Sequence, residues 1–124
     1  MTTGANKYCV PGGFMDRDET TAQTALRELK EETGYEGKII SLFRIKDNPD
    51  RIREDRQNVD FIYLVELGTQ TGSLDHETAK IEWFNLDNLP ESEEWAFDHL
   101  SDFELYKEYL KNPFPLPFVN GLNK

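Results

Sequence analysis

The chain has 124 residues, which suits a single domain over residues 1–124, and its 37% hydrophobic and 31% charged residues are ordinary for a soluble globular protein. The formal net charge of −10 disfavours nucleic acid and anionic membranes as partners, and no apolar run approaches the roughly 20 residues of a membrane helix. Cys9 is the one cysteine, so no internal disulfide can form and a reducing cytoplasm is the expected compartment.

A helix is the first long element that the sequence predicts. It follows the tight turn Pro11-Gly12-Gly13 and runs from about Thr21 to Thr33. Thr20 and Gln23 have the spacing of a capping box at its start, and Gly34 stands where a C-terminal cap belongs. The apolar residues recur at helical spacing and form one stripe, made of Ala22, Ala25, Leu26 and Leu29. We expect Leu26 and Leu29 to pack under the sheet, against strand residues such as Phe61, Tyr63 or Val65.

Strands and a second helix are predicted after the first helix. Lys38 to Ile45 is expected to be a strand, and Val59 to Leu67 is hydrophobic enough to be a buried central strand. Ile81 to Phe84 is expected to be a short strand. Ser101 and Glu104 have the spacing of a capping box that opens a second helix. Strands interleaved with two helices predict a mixed α/β layer structure.

Three glutamates lie on one face of the first predicted helix. At about 100° per residue, Glu28, Glu31 and Glu32 fall within an arc of about 100°, away from the apolar stripe. Carboxylates on one face repel one another and weaken an isolated helix, so a solvated acidic face is the simplest interpretation of these residues alone. Oxygen-only clusters also suit hard cations such as Mg²⁺.

The surrounding segment favours the second interpretation. It contains Gly13, five residues, Glu19, seven residues, and then Arg-Glu-Leu-Lys-Glu-Glu-Thr-Gly-Tyr from Arg27 onward. This pattern resembles the signature box of the Nudix hydrolases: Gly, five residues, Glu, seven residues, Arg-Glu-aliphatic-any-Glu-Glu-any-Gly-aliphatic. Eight of the nine specified positions match, and Tyr35 is aromatic where the pattern prefers an aliphatic residue. Residues 83–90 also resemble the family.

The resemblance implies an α+β fold, a Nudix-type α/β/α sandwich with a mixed sheet. Family members usually carry a longer segment before the box than the twelve residues that precede Gly13, so the family's opening strand or strands are expected to be missing. The hydrophobic strand Val59 to Leu67 would then present an open edge. We therefore expect either a homodimer whose partner covers it or a natural chain that begins upstream of Met1.

The resemblance also implies the metal site. Glu28 and Glu32 correspond to metal ligands, Glu31 lies close to the same cluster, and Gly12 brings a backbone carbonyl near it. The expected ion is Mg²⁺, with Mn²⁺ as the alternative. The resemblance implies that Glu31 and Glu32 are catalytic residues as well.

The remaining box residues are expected to support this cluster. Arg27 resembles the family arginine that pairs with a box glutamate, and Glu19 is its natural partner, so Arg27 would orient the catalytic groups. Gly13 permits the turn before the helix, and Gly34 permits its left-handed exit. Outside the box, Glu77 is the best candidate for a general base, and an exposed loop acid is the alternative.

The implied reaction is attack of water on one phosphorus of a diphosphate in a small nucleotide-derived substrate. ADP-ribose is favoured because Pro49 lies fourteen residues after Tyr35, near a proline that is typical of ADP-ribose pyrophosphatases. Arg44 and Arg56 are candidate phosphate or ribose contacts. Trp95 is a candidate for stacking on the base, or for packing near the last helix.

Three other functions are compatible with the sequence. One is a nucleoside triphosphate pyrophosphohydrolase that removes damaged nucleotides, and another is an inactive fragment. The third is a non-catalytic nucleotide-sensing Nudix module. The presence of Glu28, Glu31 and Glu32 together argues against a sensor, which does not need all three.

Overall fold

A computed structural model of the chain describes residues 2–3, 7–8, 15–49, 59–71 and 100–122. The elements within them are β1 (Thr2–Thr3), β2 (Lys7–Tyr8), α1 (Thr21–Thr33), β3 (Tyr35–Lys46), β4 (Asp60–Gln70), α2 (Leu100–Lys111) and β5 (Phe118–Val119). β1 pairs with β2, and a separate sheet has the order β4-β3-β5. β3 is antiparallel to β4 and parallel to β5, so this sheet is mixed, as predicted. Neither helix in the described ranges is long and apolar enough to cross a bilayer.

Helix α1 has the predicted bounds and caps. The Thr20 hydroxyl accepts a hydrogen bond from the Gln23 backbone N–H, and the Gln23 side chain accepts one from the Thr20 N–H. At the other end, Gly34 adopts the left-handed conformation with φ of 78°, and its N–H donates to Lys30 O over 2.8 Å. The sequence predicted these ends because capping depends on residues within one turn of the helix end.

The position of the strands in the sheet differs from the prediction. The segment Val59 to Leu67, predicted to be a buried central strand, corresponds to β4 at one end of the described three-stranded sheet, where Phe61 is 43% exposed. Among the strands that the structure describes, the central position belongs to β3, because β5 pairs with its other edge. Hydrophobicity indicated a strand, but strand order depends on a distant C-terminal segment that the sequence did not identify as a strand. The predicted strand at residues 81–84 lies outside the described residues.

Helix α1 packs on the sheet where β3 has no side chain. A Cβ atom on Gly37 would lie 2.7 Å from Val65 Cγ1, 2.9 Å from Leu29 Cδ2 and 3.1 Å from Leu26 Cδ2. The apolar stripe of α1 therefore meets β4 across this glycine, which confirms that Leu26 and Leu29 pack on the sheet.

The C-terminal half of β3 carries an aromatic core. Phe43 is buried, and its ring meets Tyr106 and Tyr109 of α2 edge to face at centroid distances of 5.7 and 5.9 Å. Phe114 extends this core toward β5. The predicted N-cap at Ser101 is wrong, because Ser101 is the second residue of α2 and its hydroxyl accepts a hydrogen bond from Arg44.

Candidate metal-binding and catalytic site

A tight turn before α1 fixes the carboxylate of Glu19. Asp18 adopts a left-handed conformation with φ of 68°, and the Glu19 N–H donates to Asp16 O over 3.3 Å. The Glu19 carboxylate folds back, and its Oε1 accepts hydrogen bonds from the Asp16 N–H at 2.9 Å and the Thr24 hydroxyl at 3.0 Å. These contacts hold Glu19 beside the first turns of the helix.

Arg27 lies at the centre of the box residues. Its Nε and Nη2 donate to Glu19 Oε2 and Oε1 at 2.7 and 3.1 Å, which is the two-pronged geometry of a strong guanidinium–carboxylate pair. Its Nη1 donates to Glu28 Oε1 at 2.6 Å and to Glu31 Oε2 at 3.0 Å. Asp16 Oδ2 lies 3.4 Å from Nε. The predicted Arg27–Glu19 pair is therefore present, and the same guanidinium also links two of the predicted site glutamates.

Hydrogen bonding keeps the central pair charged. The bond from Arg27, with smaller help from the Asp16 backbone, lowers the pKa of Glu19 from 4.5 to about 2. The Glu19 carboxylate, followed by that of Glu28, raises the pKa of Arg27 above its ordinary value. Both groups stay ionised at neutral pH, so the pair acts as a fixed structural unit.

The donor chemistry around Arg27 fits a hard cation. Carboxylate oxygens of Glu28 and Glu31 both accept hydrogen bonds from the positively charged Arg27 Nη1. Carboxylate oxygens are also the ligands that a hard cation such as Mg²⁺ prefers. Within the part of the chain that the structure describes, no three Asp, Glu, His or Cys side chains are gathered to hold a metal. The convergence of Glu28, Glu31 and Glu32 on one ion therefore stays a prediction.

Arg44, a predicted substrate contact, lies in a different and buried cluster. Its Nη1 donates to Asp102 Oδ1 and to Ser101 Oγ at 3.1 Å each, and its Nε donates to Asn120 Oδ1 at 2.9 Å. Lys46 Nζ reaches the same Asp102 oxygen at 2.9 Å. The Arg44 side chain is 11% exposed, so this geometry favours a structural role that ties β3 to α2 and to the C-terminal segment. Substrate binding by Arg44 stays a prediction.

Several predicted site residues lie outside the described residues, namely Gly12, Gly13, Arg56, Glu77 and Trp95. Two supporting residues were missed by the sequence analysis. Asp16 and Thr24 hold Glu19 in place, although the box pattern leaves both positions open. The signal that could have identified Asp16 is the Asp16-Arg17-Asp18 run before the helix, since aspartates favour turns and tolerate left-handed backbone.

A mixed sheet carries a capped helix, and Arg27 of that helix contacts the carboxylates of Glu28 and Glu31 together with that of Glu19. The NUDIX domain family matches residues 2–103, which is most of the chain. The protein belongs to the Nudix family.

Curated relatives and a solved structure agree with this assignment. The chain is 31% identical to an ADP-ribose pyrophosphatase of Methanocaldococcus jannaschii over 84% of its own length and 57% of the relative's. It is 33% identical to a probable DHNTP pyrophosphohydrolase of Lactococcus lactis subsp. cremoris over 66% of its length and 52% of the relative's. The chain thus spans about half the length of these curated relatives. A crystal structure of UDP-X diphosphatase has a similar fold, with a TM-score of 0.71 and 20% identity over 94% of this chain and 57% of that one.

Proposed function

We propose that this protein is a Mg²⁺-dependent hydrolase of the diphosphate bond in a nucleoside diphosphate derivative, with ADP-ribose or a similar compound as substrate and Mn²⁺ as an alternative ion. The observation that carries the proposal is the connected cluster in which Arg27 joins Glu19 to Glu28 and Glu31. The similarity to an ADP-ribose pyrophosphatase over 84% of the chain supports the substrate class.

The residues of the cluster have separate tasks in this proposal. Glu19 fixes the orientation of Arg27, and before an ion binds Arg27 holds Glu28 and Glu31 close to each other. Glu28, Glu31 and Glu32 would hold the ion. A bound Mg²⁺ polarises phosphoryl oxygens and lowers the pKa of an attacking water. Glu77 is proposed as the general base that removes the proton from this water.

A substrate panel tests the reaction. ADP-ribose, a UDP-sugar and several nucleoside triphosphates are incubated with the full chain in Mg²⁺, Mn²⁺ or a chelator, and the products are separated by chromatography. We expect ADP-ribose and water to give AMP and ribose 5-phosphate, and the chelator to stop the reaction. Higher kcat/KM for pyrophosphate release from a triphosphate would replace the proposal with the triphosphate alternative, which the similarity to a probable DHNTP pyrophosphohydrolase supports. Binding of ADP-ribose without turnover would indicate a sensing module.

Substitution of Glu32 tests the site. Glu32→Gln removes a proposed metal ligand and nearly keeps the helix propensity, so kcat should fall by about 10²-fold or more while the melting temperature changes little. Glu108→Gln, an exposed glutamate of α2, is the matched control and should keep full activity. Retained activity in Glu32→Gln would place the chemistry elsewhere.

A further inference from the structure

Arg27 uses its guanidinium in two distinct ways. One edge, formed by Nε and Nη2, is held by both oxygens of Glu19. The other nitrogen, Nη1, lies between Glu28 Oε1 and Glu31 Oε2 at 2.6 and 3.0 Å. Because a guanidinium is rigid and planar, the two edges can gain or lose partners separately while the group stays in place.

The carboxylates that bind Nη1 are the ones proposed to bind the metal. A divalent ion on Glu28 and Glu31 has to compete with Nη1 for the same oxygens, since Mg²⁺ ligands must approach to about 2.0–2.1 Å. Glu19 is not among the proposed metal ligands, and its two bonds would hold the guanidinium while Nη1 gives up its contacts. The carboxylates within 3.4 Å of the guanidinium outnumber its single positive charge, so the cluster has the negative charge to accept a further cation.

We infer that Arg27 is a positioning residue that exchanges partners with the metal. In the metal-free protein it holds Glu28 and Glu31 together by standing in for the ion. When the ion binds, Arg27 releases these two glutamates and remains on Glu19. This inference rests on the proposed function, because it assumes that the ion is held by Glu28 and Glu31.

Mn²⁺ affinity, measured by electron paramagnetic resonance on the full chain, tests the exchange. Arg27→Gln removes the competitor, and Mn²⁺ should bind about three- to tenfold more tightly, in line with the strength of a partly exposed charged contact. Glu19→Gln removes the carboxylate that holds Arg27 when Nη1 releases Glu28 and Glu31, and Mn²⁺ binding should weaken by about threefold or more. Lys30→Gln is the matched control, because it removes a positive charge from the same helix at a residue that pairs with Glu36. It should change the Mn²⁺ affinity by less than about twofold.

A double-substitution cycle separates partner exchange from general electrostatics. If Glu19 acts through Arg27, Glu19→Gln should have almost no effect on Mn²⁺ affinity once Arg27→Gln is present. Equal weakening in both backgrounds would mean that Glu19 acts through its charge alone and would overturn the inference. Weaker binding in Arg27→Gln would also overturn it, because Arg27 would then only order the cluster.

Nuclear magnetic resonance of the wild-type chain gives a second test, which does not depend on whether any variant folds. During Mg²⁺ titration, the Arg27 Nε–H signal should persist, since its bond to Glu19 is kept, while the Nη1 protons should lose protection. Simultaneous loss of both signals, or no change in either, would contradict the exchange.

If Mn²⁺ does not bind the wild-type chain, or binds equally well to Glu28→Gln, the proposed metal site itself is wrong. If Mn²⁺ binds and its binding depends on Glu28, the metal site stands, and the other tests then decide on the exchange alone.

Discussion

Arg27 and Arg44 both organise carboxylates, but their clusters differ in burial. The Arg27 side chain is 24% exposed, and the carboxylate side chains around it are between 14% and 67% exposed and outnumber its positive charge. Arg44 lies at the junction of β3, α2 and β5, where it shares Asp102 with Lys46, and Asp102 and Lys46 are 5% and 1% exposed. Residues of the same chemical type therefore form an accessible cluster in one place and an internal support in the other.

Burial explains why the two clusters suit different tasks. An ion pair that stays partly in water contributes little to stability, so its members can change partners at low cost. A buried pair has lost its hydration, and removal of one member leaves an uncompensated charge inside the protein. The Arg27 cluster is therefore better suited to the proposed exchange of partners, whereas the Arg44 cluster is suited to holding α2 against β3.

The largest expected effect comes from breaking the buried cluster. Asp102→Asn removes the negative charge that Arg44 and Lys46 share, and the free energy of unfolding should fall by about 3–5 kcal/mol. Glu31→Gln in the exposed cluster should cost less than about 1 kcal/mol. Both are measured by denaturant unfolding, with exposed Glu104→Gln as the control on α2. Similar losses for Asp102→Asn and Glu31→Gln would remove the distinction between the two clusters.

The apolar side of α1 should matter more to stability than its glutamate side. Leu29→Ala deletes part of the contact with Val65 over Gly37 and should cost about 2–3 kcal/mol, because Leu29 is only partly exposed. Chemical unfolding of this variant beside Glu31→Gln measures the difference directly. A cost near zero for Leu29→Ala would place this side chain at the surface and reverse the orientation of the helix.

The close approach of α1 to β3 predicts a smaller loss for an added methyl group. In Gly37→Ala, the new Cβ would lie 2.7 Å from Val65 Cγ1 of β4 and 2.9 Å from Leu29 Cδ2 of α1, so these side chains must move aside. We expect a cost of about 1–2 kcal/mol from overpacking. Gly68→Ala is the matched control in the neighbouring strand, since its Cβ would meet nothing closer than 3.6 Å. Equal melting temperatures for the two variants would show that the contact between α1 and the sheet over Gly37 can relax to accept the methyl group.

The pH dependence of stability should reveal the contribution of Glu19 to the Arg27 cluster. Its pKa is lowered to about 2, so its contribution to stability is present above about pH 4.5 and is lost as the pH falls toward 2. Glu19→Gln removes this contribution, and the melting temperature should then depend less on pH between 4.5 and 2 than in the wild type. Curves of identical slope for both proteins would mean that the Arg27–Glu19 pair does not contribute to folding.

The sequence determined the parts of this protein that depend on neighbours along the chain. The bounds and caps of α1 follow from Thr20, Gln23 and Gly34, because capping bonds join residues a few positions apart. The pairing of Arg27 with Glu19 was also predictable, since both stand at fixed positions of the box. The apolar stripe predicted which side of the helix packs on the sheet.

Only the tertiary structure decided the features that join distant segments. The central position of β3 depends on β5, which lies more than seventy residues later in the chain and pairs with Arg44 and Ile45. The role of Arg44 likewise depends on Asp102 and Asn120, which come from α2 and the C-terminal segment. Local patterns identify an arginine or a hydrophobic strand, but its burial is set by the distant segment that covers it. That burial decides whether a charged side chain lies in an accessible cluster or supports the core.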